Sequence, residues 1–180
     1  YTFNYQFMII VLLGYMASGK STIGEILAVN LGYNFVDLDH YIEEREASSI
    51  AKLFANRGEI YFRKKESLYL NELINSEDNI VLSLGGGTPC YGHNMETILK
   101  SDKVISMYLK ASISTIIKRL ENEEDKRPLI AHLKYKEELT EFIGKHLFER
   151  SQYYNKANIT INTDNKEKHE IVEEVISQLF

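Results

Sequence analysis

Five short apolar runs punctuate the chain, at 7–13, 33–36, 80–84, 104–109 and 159–161. Each has the length and composition of a buried strand, and segments with helical spacing of apolar residues separate them. Strands alternating with helices predict a parallel α/β sheet covered on both faces. The clearest helix follows the first run. Ile23, Ile26, Leu27 and Leu31 mark one apolar face, and Gly32 ends it. The stretch between the second and third strands is too long for a plain crossover. It holds two predicted helices, 48–56 and 59–74, parted by Gly58, and reads as a substrate-binding insertion over 40–75. Between 121 and 135 no helical periodicity is sustained, and Glu121, Glu123, Glu124, Asp125, Lys126 and Arg127 crowd together. Composition alone makes this a solvated turn. The Arg127-Pro128-Leu129-Ile130 that follows makes it a candidate mobile lid. No internal repeat, linker or low-complexity tract interrupts the pattern.

The first strand runs at once into Gly14-Tyr15-Met16-Ala17-Ser18-Gly19-Lys20-Ser21-Thr22, a complete G-x-x-x-x-G-K-[ST] pattern. Such a loop wraps a polyphosphate with backbone N–H groups. Gly14 and Gly19 let the backbone turn and approach the ligand. Lys20 reaches the outer phosphates, and the Ser21 hydroxyl is a hard oxygen donor suited to Mg²⁺. The helix that Lys20 opens directs the positive end of its dipole at the anion. An ordinary strand–turn–helix is the plain alternative, but the strand before and the helix after match the phosphate-binding context on both sides.

Further along, the second strand ends Val36-Asp37-Leu38-Asp39. Strand alternation would put Asp37 and Asp39 on one face, at the carboxyl ends of strands where open α/β sheets bind ligands. One carboxylate can hold Mg²⁺ through water while the other accepts a hydrogen bond from a substrate hydroxyl. A solvated strand end or a helix cap is the plainer role. The third strand ends Ser83-Leu84-Gly85-Gly86-Gly87. Glycines are costly to order, so three in a row call for a close approach to the backbone, where a simple turn would need one. Ser83 is placed to order water near a metal. Arg63, Arg127 and Arg150 are the guanidinium groups suited to a carboxylate or phosphate.

Composition then narrows the class. The 180-residue chain is 44% hydrophobic and 26% charged, as expected of one globular domain with a sizeable core. A net charge of −5 disfavours nucleic acid and anionic membranes as partners. The single cysteine, Cys90, excludes an internal disulfide and fits a reducing compartment. It lies close to the glycine run but has no base partner, so it reads as a bystander. The five histidines show no metal-ligand spacing. No run is long enough to span a bilayer. Residues 1–7 are expected to be a disordered N-terminal stretch or an addition ahead of Met8.

Taken together, Gly14–Thr22, Asp37-Leu38-Asp39, Gly58-Glu59 with Phe62-Arg63 and Glu66, Gly85-Gly86-Gly87, Arg127-Pro128-Leu129, and Arg150 with Tyr154 resemble the shikimate kinase family, in order and from Met8 onward. The resemblance implies a P-loop kinase three-layer sandwich spanning 8–180, with a five-stranded parallel sheet in the order 2-3-1-4-5. It implies ATP and Mg²⁺ as cofactors and shikimate as acceptor, phosphorylated on its 3-hydroxyl, in a cytoplasmic monomer. By resemblance Gly14, Ala17, Ser18, Gly19, Lys20, Ser21 and Thr22 hold the nucleotide, and Arg119 stacks on adenine. Ser21 and, through water, Asp37 hold the metal. Asp39 orients the hydroxyl as candidate base. Arg63 and Arg150 clamp the acceptor beside Gly85, Gly86 and Gly87, and Arg127 closes over the phosphates from the lid. Gln152, Asn162 and Lys168 depart from the family's usual proline, acidic residue and proline. A kinase of another hydroxy acid or a nucleoside is the alternative, as is a non-catalytic nucleotide-binding regulator. The first should lack Arg63 with the Gly85–Gly87 run, and the second should lose Lys20 or Asp39.

Lys20→Met keeps the length of the stem and removes the cation. Turnover, followed by coupled ADP release with shikimate, is expected to fall at least about a hundredfold, because a charge-assisted contact made in the transition state is lost.

Overall fold

The computed structural model describes residues 7–121 and 136–180. Its elements follow the order β1 (Ile9–Leu13), α1 (Lys20–Leu31), β2 (Asn34–Asp37), α2 (Leu38–Glu46), α3 (Ile50–Ile74), β3 (Ile80–Ser83), a 3-10 turn (Thr88–Cys90), α4 (Asn94–Lys100), β4 (Val104–Lys110), α5 (Ile113–Glu121), α6 (Lys136–Tyr154), β5 (Ile159–Asn162) and α7 (Lys168–Leu179). The five strands pair in parallel in the order β2-β3-β1-β4-β5. All five apolar runs became strands, with ends shifted by one or two residues.

Strand β1 lies at the centre, and each of its residues is buried. Its alternation divides the core in two. Ile9, Val11 and Leu13 point into one apolar cluster with α3, α5 and α6; Ile10 and Leu12 point into another with α1 and α7. A strand buried on both faces must be apolar at every position, which is why this run shows no polar alternation. The packing is close. A Cβ on Gly24 of α1 would stand 2.6 Å from Phe35 Cε2 and 3.2 Å from Leu12 Cδ1, so α1 approaches the sheet only because that side chain is missing.

Gly32 ends α1 in the left-handed conformation at φ 68°, with its N–H on the carbonyls of Ala28 and Val29. This is the usual αL termination of a helix. The two helices expected around Gly58 form α3, interrupted at Gly58, whose φ of 80° and ψ of 169° are non-helical. Ser49 caps the start of α3, accepting from the Lys52 amide at 3.3 Å. The second half of α3 is clasped to α2. Glu46 accepts from Tyr61 Oη at 2.6 Å and from Tyr69 Oη, and pairs with Lys65 Nζ at 3.0 Å. Among the described residues no helix is long and apolar enough to cross a membrane.

One expectation is corrected. Asp39 does not lie on a strand beside Asp37. The Asp37 carboxylate accepts from the Asp39 and His40 amides at 3.0 and 3.3 Å and so caps α2, placing Asp39 in its first turn. Local capping outcompetes strand continuation because it satisfies amides that the helix start leaves open. The expected lid, apart from Glu121, lies outside the described residues, and so does Arg127.

Gly24→Val should lower stability by about 1–3 kcal/mol through overpacking. Thermal melts check this, and Phe35→Ala in the same chain should recover part of the loss if that contact is the cause.

Candidate active site

The carboxyl ends of β1, β2 and β3 open into a cleft of about 800 Å³. It is lined by the phosphate loop, both aspartates, the three glycines, Arg63, Arg119 and Arg150, with Ile50, Phe54 and Phe62 as an apolar wall. Residues predicted from six separate sequence segments therefore meet in one cavity.

The phosphate loop is folded around its own lysine. Lys20 Nζ donates to the carbonyl oxygens of Gly14 and Tyr15, each at 2.9 Å. That holds the ammonium at the mouth of the loop. Gly14 has φ 149°, and a Cβ there would meet Leu109 O at 2.7 Å, so the first glycine is required by the neighbouring strand β4. Gly19 caps α1 at φ 97°. Ala17 is held at φ 57°, and its carbonyl accepts from Arg119 Nη1 at 3.0 Å. Arg119 Nη2 reaches the Thr163 carbonyl at 3.4 Å. Arg119 thus ties the phosphate loop to the β5–α7 connection by its edge, and the flat faces of its guanidinium remain suited to stacking. Ser18 Oγ is buried with no hydrogen-bond partner, a polar atom facing a loop built for anions.

At the end of β2, Ser21 Oγ donates to Asp37 Oδ2 at 2.8 Å and lies 3.4 Å from Ser83 Oγ. A hydroxyl, a carboxylate and a second hydroxyl form a hard oxygen donor set. That chemistry fits Mg²⁺, which keeps several waters and takes few protein ligands. Among the described residues no cluster of three His, Cys, Asp or Glu side chains offers another metal centre.

The glycine run explains itself in space. A Cβ at Gly85 would stand 2.9 Å from Asp39 Oδ1; at Gly86, 3.4 Å from Arg150 Nη1; at Gly87, 3.2 Å from Arg63 Nη2. Each glycine makes room for one charged side chain arriving from a different helix. A glycine run calls for a ligand close to this backbone, and here the site's own charged side chains also crowd it, most closely at Gly85 and Gly87.

Arg63 is anchored by Glu66. Its Nη1 donates to Glu66 Oε2 at 2.9 Å, and Glu59 Oε1 lies 3.5 Å from its Nε. The Nε is buried with no hydrogen-bond partner. Glu66 is 1% exposed and also accepts from Thr88 Oγ1 at 2.7 Å, so one buried carboxylate joins α3 to the turn after the glycines. Asn94 Nδ2 holds the Thr88 carbonyl at 2.9 Å and in turn accepts from Ser67 Oγ at 2.7 Å. Arg150 belongs to α6, where Tyr154 one turn later donates to the Gly86 carbonyl. Glu66 appears in the sequence motif, but its spacing from Arg63 said only that an i,i+3 ion pair was available. Its link to Thr88 had no sequence signal.

The Asp39 carboxyl is pushed well above its ordinary range. Burial first, then the neighbouring charges of Asp37 and Glu66, raise it from 3.8 to about 6, against the opposing pull of Lys20. A carboxyl poised there changes protonation close to neutral pH, as suits a general base. Burial pushes the Cys90 thiol up to about 11, which leaves it a poor nucleophile and supports its bystander reading.

The model of the shikimate kinase family matches residues 16–180. The chain is 47% identical to a shikimate kinase of Flavobacterium psychrophilum over 171 residues, covering 95% of this chain and 98% of that one. Its fold superposes on the crystal structure of shikimate kinase from Bacteroides thetaiotaomicron with a TM-score of 0.87 at 34% identity, covering 96% of this chain and 98% of that one. On the Acinetobacter baumannii shikimate kinase in complex with shikimate the TM-score is 0.83 at 29% identity, covering 96% and 93%.

The folded protein binds the Asp39 proton more tightly than the unfolded chain does, so the stability this proton lends is present below the ordinary carboxylate range, is lost as the pH rises to about 6 and stays lost above it. Asp39→Asn should therefore melt above the unaltered protein at about pH 8, and the gap should close towards about pH 4, where the carboxyl is protonated in both states. Melting curves across that range check the sign and the window.

Proposed function

Since the chain belongs to the shikimate kinase family and transfers a phosphoryl group from ATP to the 3-hydroxyl of shikimate, we propose that its residues divide that work as follows. The reading is carried by the convergence of Asp39, Arg150 and Arg63 on Gly85, Gly86 and Gly87 at the edge of the phosphate loop. That arrangement sets a base and two carboxylate-binding cations beside the place where the transferring phosphate must sit.

Phosphoryl transfer asks the protein chiefly for alignment and charge compensation. The amides of Gly14 to Thr22 and Lys20 hold the donor phosphates. ATP would supply the phosphoryl group, and Mg²⁺, which Ser21 and, through water, Asp37 would hold, would supply charge neutralisation. Asp39 accepts the hydrogen bond from the 3-hydroxyl and takes its proton. Arg63 and Arg150 bind the acceptor carboxylate and hydroxyls, assisted by the Gly86 amide. Arg119 offers its face to adenine. Arg127, which lies outside the described residues, is assigned to the phosphates, and 121–135 to a lid, on the sequence pattern alone. Closing the cleft would exclude water, which competes as phosphoryl acceptor.

A monomer is proposed as the working unit on the family resemblance alone. One cysteine, an acidic net charge and dependence on ATP support a cytoplasmic enzyme without nucleic-acid or membrane partners. The helices flanking Gly58 supply the acceptor-binding arm over 40–75, within a single domain from 8 to 180.

Arg63→Ala and Arg150→Ala should each weaken shikimate binding by about 2–5 kcal/mol while leaving ATP binding nearly unchanged. Calorimetric titrations with each ligand check this. Intact shikimate affinity in both variants would mean that the acceptor is held elsewhere.

A further inference from the structure

Arg63 has to satisfy two demands that conflict. Its guanidinium must be held still, and it must keep N–H groups available for an incoming carboxylate. A guanidinium presents its donors in its plane, through Nε–H and the two NH2 groups. Glu66 holds it through Nη1, which uses part of that edge. Glu59 Oε1, half exposed and 3.5 Å from Nε, is a second and looser carboxylate neighbour, and each such partner competes with an acidic acceptor for the remaining donors.

The structure contains a restraint of another kind. The ring of Tyr91 lies against the face of Arg63, with the guanidinium carbon 3.6 Å from the ring centroid. That is a stacked cation–π contact, well inside the reach of this interaction. The Phe62 ring, adjacent in sequence, is farther away at 5.2 Å. Tyr91 follows the 3-10 turn Thr88–Cys90, its amide on the Thr88 carbonyl and its own carbonyl accepting from the Asn94 amide at 3.3 Å. The turn that fixes Tyr91 is thus the one tied to Glu66 through Thr88. Gly87 makes the stack possible. A Cβ there would meet Arg63 Nη2 at 3.2 Å and Tyr91 Cε2 at 3.5 Å. Tyr91 itself is 38% exposed, and it does not line the cleft.

The geometry points to Tyr91 as a positioning residue for acceptor binding: its ring restrains the Arg63 guanidinium by the face and takes none of the edge donors, so that the Nη2 side, which Glu66 does not hold, is left for the carboxylate of shikimate. The inference rests on the reading of Arg63 as an acceptor-binding group. Two physical consequences follow. The ring quadrupole supports the positive charge without adding an anion beside an acidic ligand. A stacked plane also loses less rotamer entropy on binding, because its orientation is already set. Both effects act on acceptor affinity and leave the donor site and the chemical step alone.

Three variants separate stacking from packing. Tyr91→Ala removes the ring, Tyr91→Leu keeps apolar bulk without a π face, and Tyr91→Phe keeps the face without the hydroxyl. Since Tyr91 is partly exposed, none is expected to unfold the protein, and thermal melts verify that. Shikimate dissociation constants from calorimetry should rise about threefold to tenfold in the Ala and Leu variants and return to the unaltered value in Phe. KM for ATP and kcat should stay within about twofold in all three. Wild-type affinity in the Leu variant would reduce the contact to packing and overturn the proposal; so would wild-type affinity in the Ala variant. Arg63→Ala, measured alongside, keeps the two readings apart. If it leaves shikimate affinity intact, the assignment of Arg63 fails. If it weakens affinity and the Tyr91 series does not, only the role of Tyr91 fails.

Discussion

Three successive residues without side chains, Gly85, Gly86 and Gly87, are the constraint on which the site depends. Asp39 arrives from α2, Arg63 from α3 and Arg150 from α6, and each comes within 3.5 Å of where one of these Cβ atoms would be. A methyl group would collide with the Asp39 carboxylate at Gly85, press on Arg63 at Gly87 and just touch Arg150 at Gly86. The cost of ordering three glycines is offset by letting one carboxylate and two guanidinium groups face a common volume. The same turn continues into Thr88 and Tyr91, so the backbone that admits the charged groups also supplies two of their supports.

Electrostatics then explains why these groups are individually tied down. The cleft brings Asp37, Asp39 and Glu66 close to Lys20, Arg63 and Arg150. An isolated buried charge is expensive, and a buried pair is tolerated only with good geometry and further hydrogen bonds. Glu66 meets that condition through Arg63 and Thr88, and Lys20 has its two loop carbonyls. Asp39 has no comparable partner among the described contacts of its carboxylate: it is buried and lies beside the like charges of Asp37, Glu66 and Glu43, with only Lys20 opposing them. Its raised affinity for a proton is the result. A group left electrostatically unsatisfied in an otherwise satisfied site is where a proton can most readily be taken up. The acidic composition of the whole chain has little bearing on this, since the phosphate-binding potential is built locally from one lysine, a few arginines and backbone dipoles.

The fold serves these contacts by geometry. Strand β1, buried on both faces, places the phosphate loop at the centre of the sheet. With β3 beside it, the glycine run emerges next to that loop. The Gly58 break lets α3 turn so that Arg63 and Glu66 face the turn while Tyr61, Lys65 and Tyr69 grip Glu46 on the other side. A rigid scaffold behind a binding group is what allows a sub-ångström arrangement to persist between turnovers.

Much of this was determined by the sequence alone. Five strands, the phosphate loop with Lys20 and Ser21, the break at Gly58 and the candidate arginines all follow from local patterns, because chain periodicity, glycine and loop chemistry act over a few residues; the expected burial holds for β1, β3 and most of β4, whereas β2 and β5 are partly exposed edge strands. What only the tertiary structure decided are contacts between residues distant in sequence. Glu66 meets Thr88 across 22 positions, Tyr154 meets Gly86 across 68, and Arg119 meets Ala17 across 102. No local pattern encodes such pairings; they exist because sheet order and helix packing bring the ends of the strands together. Asp39 shows the same limit at short range. Alternation put it on a strand, whereas the cap made by Asp37 turned the chain into a helix, and the burial and neighbouring charges that raise its pKa exist only once α2, α3 and the phosphate loop are packed around it.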